Sequence, residues 1–146
     1  AASVAKALSS AGLDPKKIQL LGTSAWDDPR IFSTPAFANG WFAMPDKSGY
    51  ETFAAKYRER FGSDPTRIAT LAYDAVSLVA LLSGGRPYQR FTNAALTDPR
   101  GFSGVDGIFR FRPDGAAERG LAVLEVQRSG FRTISPAPKD FRELTR

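Results

Sequence analysis

A chain of 146 residues has the length of one domain, and 42% apolar and 24% charged residues are ordinary for a folded protein. The absence of histidine and cysteine excludes imidazole and thiolate catalysis and the usual zinc ligands, so neither a metal nor a cofactor is expected. The net charge of +5 comes without a basic helix or an RNA-reading aromatic motif, which argues against nucleic acid as a partner.

In chain order, Ala2–Ala11 reads as the end of an amphipathic helix, with Val4, Ala7, Leu8 and Ala11 at helical spacing and Gly12 as its stop. The opening AASVAKALSS looks like the inside of a helix, so a longer parent chain is expected. Asp14-Pro15 predicts a turn. Ile18–Leu21, closed by Gly22, has the pattern of a strand buried on both faces of a parallel sheet. Thr23–Pro29 is then the loop at the carboxyl end of that strand, where open α/β sheets hold ligands. Pro29–Ala38 predicts a short helix or an irregular connection, and Gly40–Met44 a second strand.

The next stretch, Ser48–Ser83, predicts a helical pair. Ser48 and Glu51 have capping-box spacing. Tyr50, Phe53, Tyr57 and Phe61 make one face, opposite Lys56, Arg58, Glu59 and Arg60, and Gly62 ends the helix. Asp64-Pro65 restarts it, with Asp64 as N-cap. The second helix carries Ile68, Leu71, Ala72, Ala75, Val76, Val79 and Leu82, an apolar face wide enough to be mostly buried, and ends at Gly84-Gly85. A polar connection follows, holding a short helix around Phe91–Leu96. In Ile108–Arg112, Phe109 and Phe111 alternate with Arg110 and Arg112, the pattern of a strand with one face in a core. Pro113-Asp114-Gly115 is a turn, and Leu121–Gln127 and Phe131–Ile134 are strands joined at Ser129-Gly130. The tail Ser135–Arg146, with its two prolines and five charges, is expected to wrap over the surface.

Few residues invite chemistry. Asp27-Asp28 could face a cation, but two adjacent carboxylates without a third ligand read as an exposed turn. Gly101, Gly104 and Gly107 lack the G-x-G-x-x-G spacing and precede a strand, so the phosphate-loop fingerprint fails. Ser24 has no histidine partner and no G-x-S-x-G context. Trp26, beside the loop after the first strand, is a candidate for ligand contact. From these residues alone the chain is an α/β domain.

Five stretches carry a resemblance in order and spacing: Ile18-Gln-Leu-Leu-Gly-Thr, Ala38-Asn-Gly-Trp-Phe-Ala, Phe53-Ala-Ala-Lys-Tyr-Arg-Glu-Arg-Phe-Gly, Leu71-Ala-Tyr-Asp-Ala-Val and Gly104-Val-Asp-Gly-Ile-Phe-Arg-Phe-Arg-Pro-Asp-Gly. Together they resemble the second half of type I periplasmic ligand-binding proteins, the leucine/isoleucine/valine-binding-protein-like receptors. The nearest branch holds ABC-transporter substrate-binding proteins and penicillin-binding-protein activators, lipoproteins that regulate peptidoglycan synthases.

The resemblance implies a fragment of a two-lobed Venus-flytrap α/β fold, with a mostly parallel sheet, flanking helices and a C-terminal antiparallel hairpin. It assigns residues 1–44 to the second lobe, 45–100 to the first lobe, and 101–146 to a return crossing and the terminal strands of the second lobe. The crossings are expected near Met44–Asp46 and Gly101–Gly107. It also implies a ligand site of Ser24, Trp26, Asp27 and Tyr73. Ser24 falls where amino-acid-binding members place a carboxylate against the ligand ammonium, and Asp27 lies three residues later. A buried ammonium needs a countercharge, so the displaced anion weakens an amino-acid assignment. The implied function is a non-enzymatic periplasmic receptor that captures a small molecule and serves the membrane subunits of an ABC transporter, its lipid anchor, if any, lying upstream. The alternative is an interaction domain regulating a cell-wall synthase. On either reading the apolar faces of the helical pair need a cover, from a missing N-terminal portion or from a second copy.

Overall fold

The computed structural model describes residues 2–14 and 17–142, so Pro15 of the expected turn and residues 143–146 of the expected tail lie outside the described residues. The elements begin with α1 (Ala2–Ser10), β1 (Leu21–Gly22), α2 (Pro29–Phe32) and β2 (Trp41–Met44). Three helices follow, α3 (Lys47–Phe61), α4 (Ala69–Ser83) and α5 (Asn93–Leu96). The rest is strand: β3 (Phe102–Gly104), β4 (Gly107–Phe111), β5 (Ala117–Arg119), β6 (Ala122–Gln127) and β7 (Gly130–Ser135). They form two compact units. Unit 1 is Ala1–Pro45 with Leu121–Pro136, and unit 2 is Asp46–Gly120 with Ala137–Arg146. The first boundary lies within Met44–Asp46; the next, Gly120–Leu121, lies downstream of Gly101–Gly107.

Unit 1 is built on a sheet of order β1-β2-β6-β7. Its core comes from period-two alternation: Ala122, Leu124 and Val126 of β6 are buried, and they meet Phe42 and Met44 of β2. Phe42 and Phe131 pack edge to face at 5.9 Å. Among the described strands, parallel pairing is confined to β1 and β2. A parallel pair needs a crossover, which α2 and its flanks supply between β1 and β2, whereas the short β6–β7 connection can only make a hairpin. The expected first strand is corrected in both length and burial. Only Leu21 and Gly22 are strand, and Leu21 is 73% exposed, because β1 is the edge of this sheet and not an interior strand. The stop of α1 is as expected: Gly12 has φ +69°, and the Leu13 N–H returns to the Leu8 carbonyl at 3.1 Å.

Unit 2 joins α3, α4 and α5 to a second sheet, β3-β4-β5. Gly62, with φ +70°, ends α3, and Gly84 caps α4. The two N-caps differ from expectation. Asp46, not Ser48, caps α3 by accepting the Ser48 N–H at 2.8 Å, so the Ser48/Glu51 capping box does not form. Asp64 does not cap α4 either: it pairs with Arg58, while Tyr50 donates to the Pro65 carbonyl at 3.3 Å and the helix starts only at Ala69.

The buried face of α4 is also not the apolar one. Thr70, Asp74 and Leu78, four apart, are buried, while Val76 is 69% exposed and Leu71 and Val79 are exposed too. Polar partners decide this. Asp74 accepts the Val105 N–H at 2.7 Å, and the Thr70 hydroxyl donates to Asp106 at 2.7 Å. In β4 both Ile108 and Phe109 are buried, so this strand is covered on both faces. The tail does more than wrap: Phe141 is buried in unit 2, with the Arg110 guanidinium 4.4 Å above its ring.

Candidate functional site

Three of the four expected ligand residues share one loop of unit 1. Beyond β1 the chain makes a 3-10 turn, Ser24–Trp26, closed by hydrogen bonds from the Trp26 N–H to the Thr23 carbonyl at 2.9 Å and from the Asp27 N–H to the Ser24 carbonyl at 3.1 Å. The Thr23 hydroxyl caps this turn by accepting the Ala25 N–H. Ser24 is exposed at the turn, whereas Trp26 and Asp27 are half-buried.

Trp26 lies flat on glycine backbone. A Cβ at Gly22 would stand 2.2 Å from the indole, and one at Gly40 would stand 2.8 Å from it. The indole meets Phe37 edge to face at 5.1 Å. Any side chain at position 22 or 40 would displace the ring, so the two glycines set its place on the sheet. A half-buried ring held this way packs on the sheet and still leaves surface for the ligand contact expected from the sequence.

Asp28 is fully engaged. It caps α2, accepting the Arg30 N–H at 2.8 Å, and forms an ion pair with the Arg30 guanidinium. Those hydrogen bonds, with the Arg30 charge, lower its carboxyl from 3.8 to about 2. Among the described residues no group of histidine, cysteine and carboxylate side chains could hold a metal ion.

Tyr73, the fourth expected residue, is on α4 in unit 2. Its ring, 54% exposed, packs edge to face on Phe53 at 5.3 Å. The row continues through Tyr57 to Phe61, with centroids 6.0 and 4.5 Å apart. These rings, with Ala72, Val76 and Lys56, line an open apolar groove of about 580 Å³ between α3 and α4. The spacing of Phe53, Tyr57 and Phe61 announced its walls as an apolar face that needs a cover.

One cluster escaped the sequence reading. Glu125 on β6 accepts from the Trp41 indole N–H at 3.3 Å, from Gln127 at 2.6 Å and from Arg132 at 2.8 Å. The signal was present: Val123, Glu125 and Gln127 fill the out-of-core positions of β6, and Trp41 is directly opposite Glu125.

Residues 1–131 match the profile of a family described as periplasmic binding protein. No curated protein matches the chain. Among solved structures, the chain is similar to a leucine binding protein from Thermotoga maritima, at 17% identity and TM-score 0.51, over 90% of this chain and 40% of that one. It is similar to an ABC transporter substrate-binding protein from Desulfitobacterium hafniense in complex with Leu, at 19% identity and TM-score 0.53, over 91% and 39%. A third is an extracellular ligand binding receptor from Desulfohalobium retbaense, at 28% identity and TM-score 0.52, over 90% and 24%. The chain thus spans about 40% of the length of the first two structures.

Proposed function

The chain belongs to the periplasmic binding protein family, and from that premise we propose that it is part of a periplasmic receptor that captures a small molecule without transforming it. Uptake through an ABC transporter is the role that follows. The observation that carries this reading is the family match across residues 1–131, which includes the Thr23–Asp28 loop at the carboxyl end of the parallel β1–β2 pair. In an open α/β sheet that loop is where a ligand is met. Ser24 offers a hydroxyl, Trp26 a flat apolar wall, and Asp27 a carboxylate for a cationic group. Unit 1 corresponds to the second lobe of the receptor and unit 2 to the first. The α3–α4 groove is where a sheet from the further length of such a receptor would pack.

Leucine is the first ligand to try, because the Desulfitobacterium hafniense relative is a complex with Leu. Titration calorimetry on the receptor extended to family length should detect small-molecule binding, and Trp26→Ala should weaken it at least tenfold, about 1.4 kcal/mol. Unchanged affinity removes Trp26 from the site. If no amino acid or related metabolite binds, while a peptidoglycan synthase is captured from membranes through the α3–α4 groove, the protein is an interaction domain that regulates cell-wall synthesis.

A further inference from the structure

The β3–β4 turn of unit 2, Gly104–Gly107, is held through two buried carboxylates, Asp74 from α4 and its own Asp106. Asp74 of α4 accepts the Val105 N–H at 2.7 Å. Asp106 takes a bidentate ion pair from Arg67, at 2.7 and 2.9 Å, together with the Thr70 hydroxyl at 2.7 Å. Arg67 in turn lies 4.8 Å over the Tyr50 ring. Bidentate pairing fixes direction as well as distance, and three polar groups converging on one turn leave it little freedom.

The three segments that lead out of unit 2 are all rooted at this turn or beside it. After Pro45, Asp46 caps α3, and at Gly49 that helix passes so close to the turn that a Cβ would stand 1.9 Å from the Val105 carbonyl oxygen. Before Leu121, the Gly120 N–H donates to the Ile108 carbonyl at 3.0 Å. A Cβ on Gly120 would stand 2.7 Å from Ile108 and 2.9 Å from Pro138, which follows the third boundary. The third segment also reaches the first: Asp46 is held below the ordinary carboxylate range by hydrogen bonds from Ser48, and then by the charge of Lys139.

We infer that the Gly104–Gly107 turn is a hinge plate, and that Asp106, Arg67, Thr70 and Asp74 are positioning residues that fix the unit 2 ends of all three connecting segments, confining bending to the residues around Pro45, Gly120–Leu121 and Pro136. The value of such a plate rests on the reading of a receptor that closes on its ligand. Closure by hinges moves a few φ and ψ angles, and the hinge is sharp only where the chain on one side of it is held.

Hydrogen exchange on the chain, without ligand, tests the plate. Asp106→Asn should speed exchange of the Val105 and Gly120 amides about tenfold or more while the β6–β7 hairpin of unit 1 keeps its rates, because only the local opening becomes easier. Thr70→Val removes one hydrogen bond from the same carboxylate and fits the same space. It should shift the same amides by less, and it carries the test if Asp106→Asn fails to fold. Acceleration at every amide alike, no acceleration at these amides, or wild-type Val105 and Gly120 amides without protection would each overturn the proposal. Leucine titration on the same samples is read separately: a failure to bind leaves the exchange pattern standing and counts only against the receptor reading.

Discussion

Asp28 accepts the Arg30 amide and pairs with the Arg30 guanidinium, and the same two-residue arrangement recurs in Asp98-Pro99-Arg100 and Asp140-Phe141-Arg142. Each carboxyl is lowered, Asp140 also to about 2, first by the side-chain hydrogen bond from the arginine and then by its amide. Three repeats in unrelated places mark the geometry as a property of the tripeptide, not of a ligand site. A carboxylate whose pKa is depressed on folding stabilises the fold above its ordinary pKa, and that contribution is lost as pH falls through the folded value. The α2 cap should therefore hold above pH 3.8, weaken between 3.8 and about 2, and vanish below that. An NMR titration of the Asp28 carboxyl carbon checks this: the expected midpoint is about 2, and a midpoint near 3.8 would mean that the pair does not form.

Helix α4 shows where pattern reading works and where it fails. Its end at Gly84, like that of α3 at Gly62, was legible because a stop depends on one residue and its neighbours. So were β2 and β6, whose alternation depends only on the pleat, whereas β4 was legible as a strand but not as one buried on both faces. The helix starts were not, since Asp46 and Ser48 both satisfy the local rule, and it is Asp46 that takes the Ser48 amide. Nor was the buried face of α4 legible. Apolar periodicity assumes that the largest greasy surface faces the core, whereas Thr70 and Asp74 are drawn inward by partners on the turn between β3 and β4, more than thirty residues downstream. Of the candidate site, the grouping of Ser24, Trp26 and Asp27 on one loop was readable from the strand before them. The glycine seats at 22 and 40 under Trp26 were not, because they bring together residues from both sides of α2. The burial of α4 makes a sharp prediction. With the chain dilute enough to be monomeric, Leu78→Ala, from a side chain 8% exposed, should cost about 2–5 kcal/mol. Val76→Ala should stay within ~0.5 kcal/mol. Urea denaturation of both variants decides it, and equal losses would mean that α4 is rotated in solution.

For the molecule as a whole, the α3–α4 groove is an uncovered apolar surface. Phe61, Tyr73 and Val76 stand exposed along it, and covering each fully is worth roughly 1.5–3 kcal/mol. At micromolar concentration the chain should therefore sediment as a self-associated species, and adding the remaining length of a family receptor should convert it to a one-to-one complex. Val76→Asp should shift either species toward monomer. A wild-type chain that sediments as a monomer and melts cooperatively would show that the groove needs no cover. The discontinuity of unit 1 has a consequence of another kind, in time. Trp41 on β2 reaches its partner Glu125 on β6 across a sequence separation of 84 residues. At ~5–20 residues per second of synthesis, β2 waits about 4–17 s for that partner to exist. Until then only Asp46–Gly120 of unit 2 can be made, and unit 2 in turn waits for the segment that carries the buried Phe141, so that each unit is completed only after the other has begun.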